Sequence, residues 1–427
     1  MTTKRILSLM LIMLLCVVST WAQVRAGQTK DINITVGGAN RFMKVHFPPN
    51  LKDNAPLVIS MHGVNQSAEY QMNNTNWNNL ADQNGFIVVF PQGEGLWWDV
   101  SGDKDVNFVK YIINYMSKNY KINKNRVYAT GFSLGAMMTY HLITKTAGTF
   151  AAYGPVSGVC FDNRNITASR HVPLIHHHGS ADDVFKFGGD PGHMAGGYPS
   201  ITEYVTKWAA WNGCDTSKPV VKQIGGDTKT IWTNREEGIQ TVYNVINGAG
   251  HWHSDSQWGG INTTNELWAF FKRYSLDNDI SFAMSRIVPA GGSTISKDQT
   301  FTVAFSEYIY LKGVSVKLVG NGQTIELVNT TTTNSDKSRS LKLSMPEGAS
   351  LSTGEYKLNI ENVELVEDGR KGIIALDYKA EVVDAVSAPK AADDKVSTYS
   401  LSGIKDSSAK GIVIVKGNNG PAKKIIK

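Results

Sequence analysis

Gly131-Phe132-Ser133-Leu134-Gly135 comes directly after an apolar run at 126–130 and directly before 136–142, a good helix start. A serine framed by glycines between a strand and a helix has the form of a nucleophile elbow. The serine must sit on a strained turn, where side chains two residues away would collide with neighbouring backbone. In return its Oγ stands exposed at the C-terminal edge of a sheet. The adjoining helix N-terminus favours negative charge developing there. The chemistry this suits is acyl transfer.

A nucleophilic serine needs a base to take its proton and an acid to hold that base in one tautomer. The order Ser, acid, His suits a serine placed on an elbow. After Ser133 the first well-placed carboxylates are Asp182 and Asp183, in a loop that follows the run at 171–178. Spacing alone does not choose between them. Downstream lie His193, His251 and His253. His251 follows a strand-like run at 240–246 through Asn247-Gly248-Ala249-Gly250, which delivers it to the same sheet edge. His193 has no strand immediately before it, and His253 reads as a flanking residue. His62-Gly63-Val64 ends an early strand, where the amide of Val64 can join that of Leu134 to cradle an oxyanion. His176-His177-His178 raises the question of a metal. Only His176 and His178 share a strand face, and no zinc-spaced partners accompany them, so no metal and no cofactor are expected. Phe132, Trp97, Trp98, Phe187 and Trp252 are the aromatic residues able to line an acyl or sugar pocket. Phe132, beside the nucleophile, is the strongest of them, and for the Trp pair core packing competes with substrate stacking.

A hairpin is expected from 32–36 and 42–47. Short apolar runs at 57–61, 86–90 and 127–130 suit interior parallel strands. Val106, Phe108, Val109, Ile112, Ile113 and Met116 recur at helical spacing within 106–119. This strand–helix alternation over 28–276 predicts a doubly wound, mostly parallel α/β sheet. After Asp277 the pattern changes to alternating strands at 301–305, 314–319, 324–328, 341–343 and 356–360, which predicts an all-β sandwich over 279–385. A linker at 386–395 and a short basic segment at 396–427 follow.

The 427 residues, 41% hydrophobic with 10% aromatic, are enough for two cores. A net charge of +6 is spread along the chain without a dense basic run, so nucleic acid is not an expected partner. Lys4 and Arg5 precede an apolar stretch at 6–18 and the small residues before Ala22, the pattern of a cleaved export signal over 1–22. Cys160 and Cys214 then make an isolated pair in an oxidising compartment, a disulfide candidate whose loop closure would contribute roughly 4 kcal/mol.

The motifs at 56–67, 80–92, 126–139, 178–182 and 248–252 occur in one order. Together they resemble the secreted feruloyl esterase, acetyl xylan esterase and polyhydroxybutyrate depolymerase group of α/β-hydrolases. The resemblance covers about 31–274, and the group's HGxxD and GGGH-type motifs imply Asp182 as the acid and His251 as the base. It implies a serine esterase that removes feruloyl or acetyl groups from xylan through an acyl-enzyme. A polyester depolymerase is the alternative within the group, and a peptidase of the same fold ranks behind it. An inactive carbohydrate-binding surface protein is the alternative outside it. The β-region is similar to bacterial Ig-like modules and reads as a spacer. The tail is similar to Bacteroidetes C-terminal sorting segments, which implies contact with secretion machinery and a secreted or cell-surface protein.

Overall fold

The structure, a computed structural model, describes residues 27–161, 166–193, 196–253, 260–381, 397–399, 412–416 and 423–426. The expected export signal and linker lie outside the described residues, as does most of the tail.

The apolar runs become the middle of a ten-stranded sheet. Its strands are β1 (Gln28–Val36), β2 (Ala39–Phe47), β3 (Leu57–Met61), β4 (Ile87–Pro91) and β5 (Val127–Phe132). They continue with β6 (Ala152–Val156), β7 (Leu174–Gly179), β8 (Val220–Ile224), β9 (Asp227–Asn234) and β10 (Ile239–Ile246). The order is β1-β2-β4-β3-β5-β6-β7-β10-β9-β8. From β4 to β10 every neighbouring pair is parallel, and the pairs at both edges are antiparallel. Strands β3 to β7 are buried throughout, as strands covered on both faces must be.

Among the described residues six helices supply that cover: α1 (Ala68–Asn74), α2 (Trp77–Asn84), α3 (Lys104–Tyr120), α4 (Leu134–Thr146), α5 (Ile201–Trp211) and α6 (Thr263–Phe271). Alternate residues of β3 enter opposite cores. Leu57, Ile59 and Met61 meet residues of α3, α4 and α5, whereas Val58 shares a core with Trp77 of α2 and Trp268 and Phe271 of α6. The residues of α3 that share helical spacing are its buried face. The sheet is therefore doubly wound, with helices on both sides.

The second unit is all-β over 284–380. It comprises β11 (Met284–Val288), β12 (Thr294–Ile295), β13 (Thr300–Tyr310), β14 (Ser315–Gly320), β15 (Gln323–Glu326), β16 (Val328–Asn329), β17 (Lys337–Ser344), β18 (Gly354–Leu365) and β19 (Lys371–Ala380). Pairing is antiparallel except for β12 with β19. Tyr356, Leu358 and Ile360 point into its own core, their alternation matching the pleat. In the tail, β20 (Ser397–Tyr399), β21 (Ile412–Lys416) and β22 (Lys423–Ile426) form a three-stranded antiparallel sheet.

The expected Cys160–Cys214 disulfide is not formed, and both residues are buried as thiols. Their surroundings explain why. The Cys160 amide donates to the Tyr204 hydroxyl in the first turn of α5 (2.8 Å), while Cys214 follows the end of that helix and faces Ile239 O and Thr241 Oγ1.

Candidate active site

Ser133 sits between the end of β5 and the start of α4 at φ 55° and ψ −116°, a backbone conformation that a non-glycine residue adopts only under constraint. The constraint is visible in its neighbours. The Ser133 amide donates to Val156 O (2.9 Å) on the adjacent strand. A Cβ at Gly131 would lie 2.3 Å from Gly135 O, and one at Gly135 would lie 2.3 Å from Met61 O. Only glycine at both positions lets the strand, turn and helix pass this closely.

Asp182 follows β7 and His251 follows β10, strands that run parallel side by side. The His251 Nδ1–H donates to Asp182 Oδ2 (2.9 Å), because the carboxylate can only accept. Nε2 is thereby left as the acceptor for the Ser133 hydroxyl, also at 2.9 Å. The other carboxylate oxygen, Oδ1, accepts from the amides of Val184 (3.0 Å) and Phe185 (2.8 Å). Ser133 and Asp182 are buried, and the Phe132 ring lies 4.9 Å from that of His251. Asp183 is exposed and His193 packs on Phe185; neither joins this chain of hydrogen bonds.

The histidine run on β7 has a structural use that sequence reasoning missed. The His178 Nε2–H donates to Phe185 O (2.7 Å) and stands 3.4 Å from Asp182 Oδ2. Its Nδ1 must then accept from His176 Nε2–H (3.2 Å), and His176 Nδ1 accepts from the Tyr140 hydroxyl (2.9 Å). Burial pushes His178 down to about 4 and His176 well below the usual imidazole range, so the row is neutral. It fixes the loop that carries Asp182. Among the described residues no group of three or more His, Cys, Asp or Glu is arranged to hold a metal.

His62 performs a second positioning task. Its Nε2 accepts from the Gly93 amide (3.0 Å), so Nδ1 carries the hydrogen and donates to Gly63 O (2.7 Å). Gly63 O and the Val64 N–H belong to the same peptide plane, and clamping one orients the other. Burial lowers the pKa of His62, which keeps this neutral tautomer. Among the described residues, neither the Val64 amide nor the Leu134 amide has a protein acceptor. Both residues line an apolar concavity of about 170 Å³ with Ser133, Trp97, Met137 and Phe185. Two unspent N–H groups beside a nucleophile are the donors that a tetrahedral intermediate requires.

The aromatic residues divide. Trp97 is 48% exposed and lines that concavity; two residues further on, the Asp99 amide donates to the buried carboxylate of Asp105 (2.7 Å), which pairs with Arg41 (2.6 Å). Trp98 is not a pocket residue. It is fully buried, donates from Nε1 to His62 O (2.8 Å) and packs on the His62 ring. Phe187 is partly buried against the core near His178. Phe132 and Trp252 line a second, polar cleft that includes His251.

A doubly wound sheet carrying a hydrogen-bonded Ser–His–Asp triad beside two unspent amides defines a site of serine-hydrolase geometry. Residues 43–187 match the family described as Esterase PHB depolymerase. The chain is 34% identical over 259 residues to the bifunctional acetylxylan esterase/xylanase XynS20E of Neocallimastix patriciarum, covering 57% of this chain and 35% of that protein. It is 26% identical over 238 residues to feruloyl esterase B of Piromyces equi, covering 52% and 42%. The chain thus spans less than half the length of each of these relatives. An acetyl xylan esterase structure from Aspergillus awamori aligns at 20% identity over 58% of this chain and 99% of that one, with a TM-score of 0.46.

Proposed function

We propose that the protein is a serine carboxylic-ester hydrolase that removes acetyl or feruloyl groups from xylan. The observation carrying this reading is the continuous chain Asp182–His251–Ser133, with both links at 2.9 Å. Ser133 Oγ attacks the ester carbonyl while His251 Nε2 takes its proton. Val64 and Leu134 N–H groups stabilise the oxyanion, and Asp182 stabilises the imidazolium. His251 then protonates the departing sugar hydroxyl, and water hydrolyses the acyl-enzyme through the same base. Relatives named for acetylxylan and feruloyl ester hydrolysis support the substrate class.

The second reading is polyester depolymerisation, favoured by the description of the matching family. In the first reading the all-β unit is an Ig-like spacer, the residues ahead of the sheet direct export, and the tail engages secretion machinery for release or surface display. Among the described residues no helix is long and apolar enough to cross a membrane.

Initial rates on p-nitrophenyl acetate, acetylated xylan, methyl ferulate and poly(3-hydroxybutyrate) separate the readings. Release of acetate or ferulate from the plant-type substrates, lost in Ser133→Ala, is expected. Turnover of the polyester alone would favour depolymerisation. No serine-dependent turnover of any ester would leave the carbohydrate-binding alternative.

A further inference from the structure

The apolar concavity is walled by Ser133 and the two unspent amides, whereas a polar cleft of about 500 Å³ contains His251 but not Ser133. The two adjoin where His251 and Ser133 are hydrogen-bonded. In acyl transfer the carbonyl stays with the nucleophile and the oxyanion donors, and the leaving alcohol departs past the base that protonates it. The acyl group therefore belongs in the apolar concavity and the alcohol in the polar cleft.

The cleft's lining describes that alcohol. Tyr70, Asn73 and Asn74 stand on one face of α1, a helix fixed by the Ser67 side chain accepting from the Tyr70 amide (3.1 Å). Trp252, 46% exposed, supplies a second aromatic surface. The lining also carries His253, and its tautomer follows from its partner. The Thr264 hydroxyl donates to Thr75 O, so its oxygen accepts from His253 Nε2–H (2.9 Å). That leaves His253 Nδ1 as an acceptor, buried and without a partner among the described residues. Burial holds the ring's pKa down to about 4, so it remains an acceptor at neutral pH. Among the described residues the lining offers carboxamides, two aromatic faces and one waiting acceptor and no fixed charge, which match an uncharged polyhydroxylated ligand.

We propose that this cleft is the saccharide subsite, holding the sugar whose hydroxyl carries the ester; the proposal rests on the ester-hydrolase reading above. The carboxamides of Asn73 and Asn74 exchange hydrogen bonds with ring hydroxyls, His253 Nδ1 accepts one, and Trp252 or Tyr70 packs on the ring face. A polyester chain, lacking hydroxyl donors, would leave His253 unsatisfied there.

The test uses the full protein and the exposed double variant Asn73→Ala/Asn74→Ala, with Trp252→Ala as a second probe. The ratio of kcat/KM on acetylated xylo-oligosaccharide to that on p-nitrophenyl acetate is expected to fall about tenfold, through KM, from the loss of one or two net hydrogen bonds. An unchanged ratio overturns the subsite. Binding is read independently by tryptophan fluorescence of the Ser133→Ala protein titrated with unacylated xylohexaose. Saturable change, weakened in the double variant and absent in Trp252→Ala, supports the cleft even if hydrolysis of xylan esters fails. No change, or displacement only by hydroxybutyrate oligomers, overturns it.

Discussion

At the scale of single residues, the site depends on two neutral histidines that touch no reacting atom. His62 orients the peptide carrying the Val64 amide, and His178 anchors the loop carrying Asp182. An oxyanion donor acts mainly in the transition state, and deleting one outright costs about 10²–10³ in kcat. His62→Ala, which only frees the donor's peptide plane, is expected to lower kcat on p-nitrophenyl acetate about 10-fold or more with little change in KM. Steady-state kinetics checks this, and a loss confined to KM would contradict the role of His62. The triad itself was legible from sequence because each member follows a β-type run through a glycine-bearing loop. The choice of Asp182 over Asp183 needed the family resemblance. The job of His62 was not legible, since it depends on the Gly93 amide 31 residues away and on a tautomer. The Trp pair could not be divided either, because Trp98 is buried by a hydrogen bond to His62 O that no spacing announces.

At the scale of elements, β7 places His176, His177 and His178 in the sheet, all fully buried and all shifted below the usual imidazole range by burial. Above pH 6.5 they are neutral in folded and unfolded chains alike. As the pH falls through 6.5 the unfolded chain takes up protons that the folded strand refuses. Stability is therefore full above pH 6.5 and lost progressively toward pH 4, by about 3 kcal/mol for His178 alone. Urea unfolding midpoints at pH 8, 6 and 5 should fall in that order, with a shallower slope in His177→Asn. Midpoints flat across that range would show that the row is charged or exposed. Strands with clean apolar or alternating patterns were readable from sequence, as was α3. The Asn-rich stretch of α1 and α2 hid two helices, and Gly154-Pro155 disguised β6. β19 was missed although Ile374, Leu376 and Tyr378 alternate, because exposed charges interrupt its run.

For the whole molecule, the α/β unit and the all-β unit are joined by buried charge. Asp368, fully buried, pairs with Arg273 of the first unit (2.7 Å) and with Arg370 (2.9 Å), whose guanidinium lies over the Tyr274 ring (3.9 Å) and donates to Gly238 O (3.3 Å). Removing Asp368 strands Arg370 and leaves Arg273 its pair with Glu307 (3.2 Å) alone, a change that costs about 3–5 kcal/mol in comparable buried pairs. Asp368→Ala should lower the thermal midpoint and split unfolding into two transitions, with esterase activity at 25 °C retained. A single unchanged transition in calorimetry would contradict this coupling. The change of texture near Asp277 in the sequence gives no sign of this contact, which is made by side chains about a hundred residues apart. The central claim is that Ser133 is the nucleophile of an ester hydrolase. Its most direct test is to label the protein with a fluorophosphonate, map the adduct by peptide mass spectrometry, and compare p-nitrophenyl acetate turnover of the native protein with Ser133→Ala. An adduct on Ser133, absent in the variant, together with a loss of about 10⁴-fold or more in kcat, is the expected result. An adduct on another residue, or turnover that survives the substitution, would contradict it.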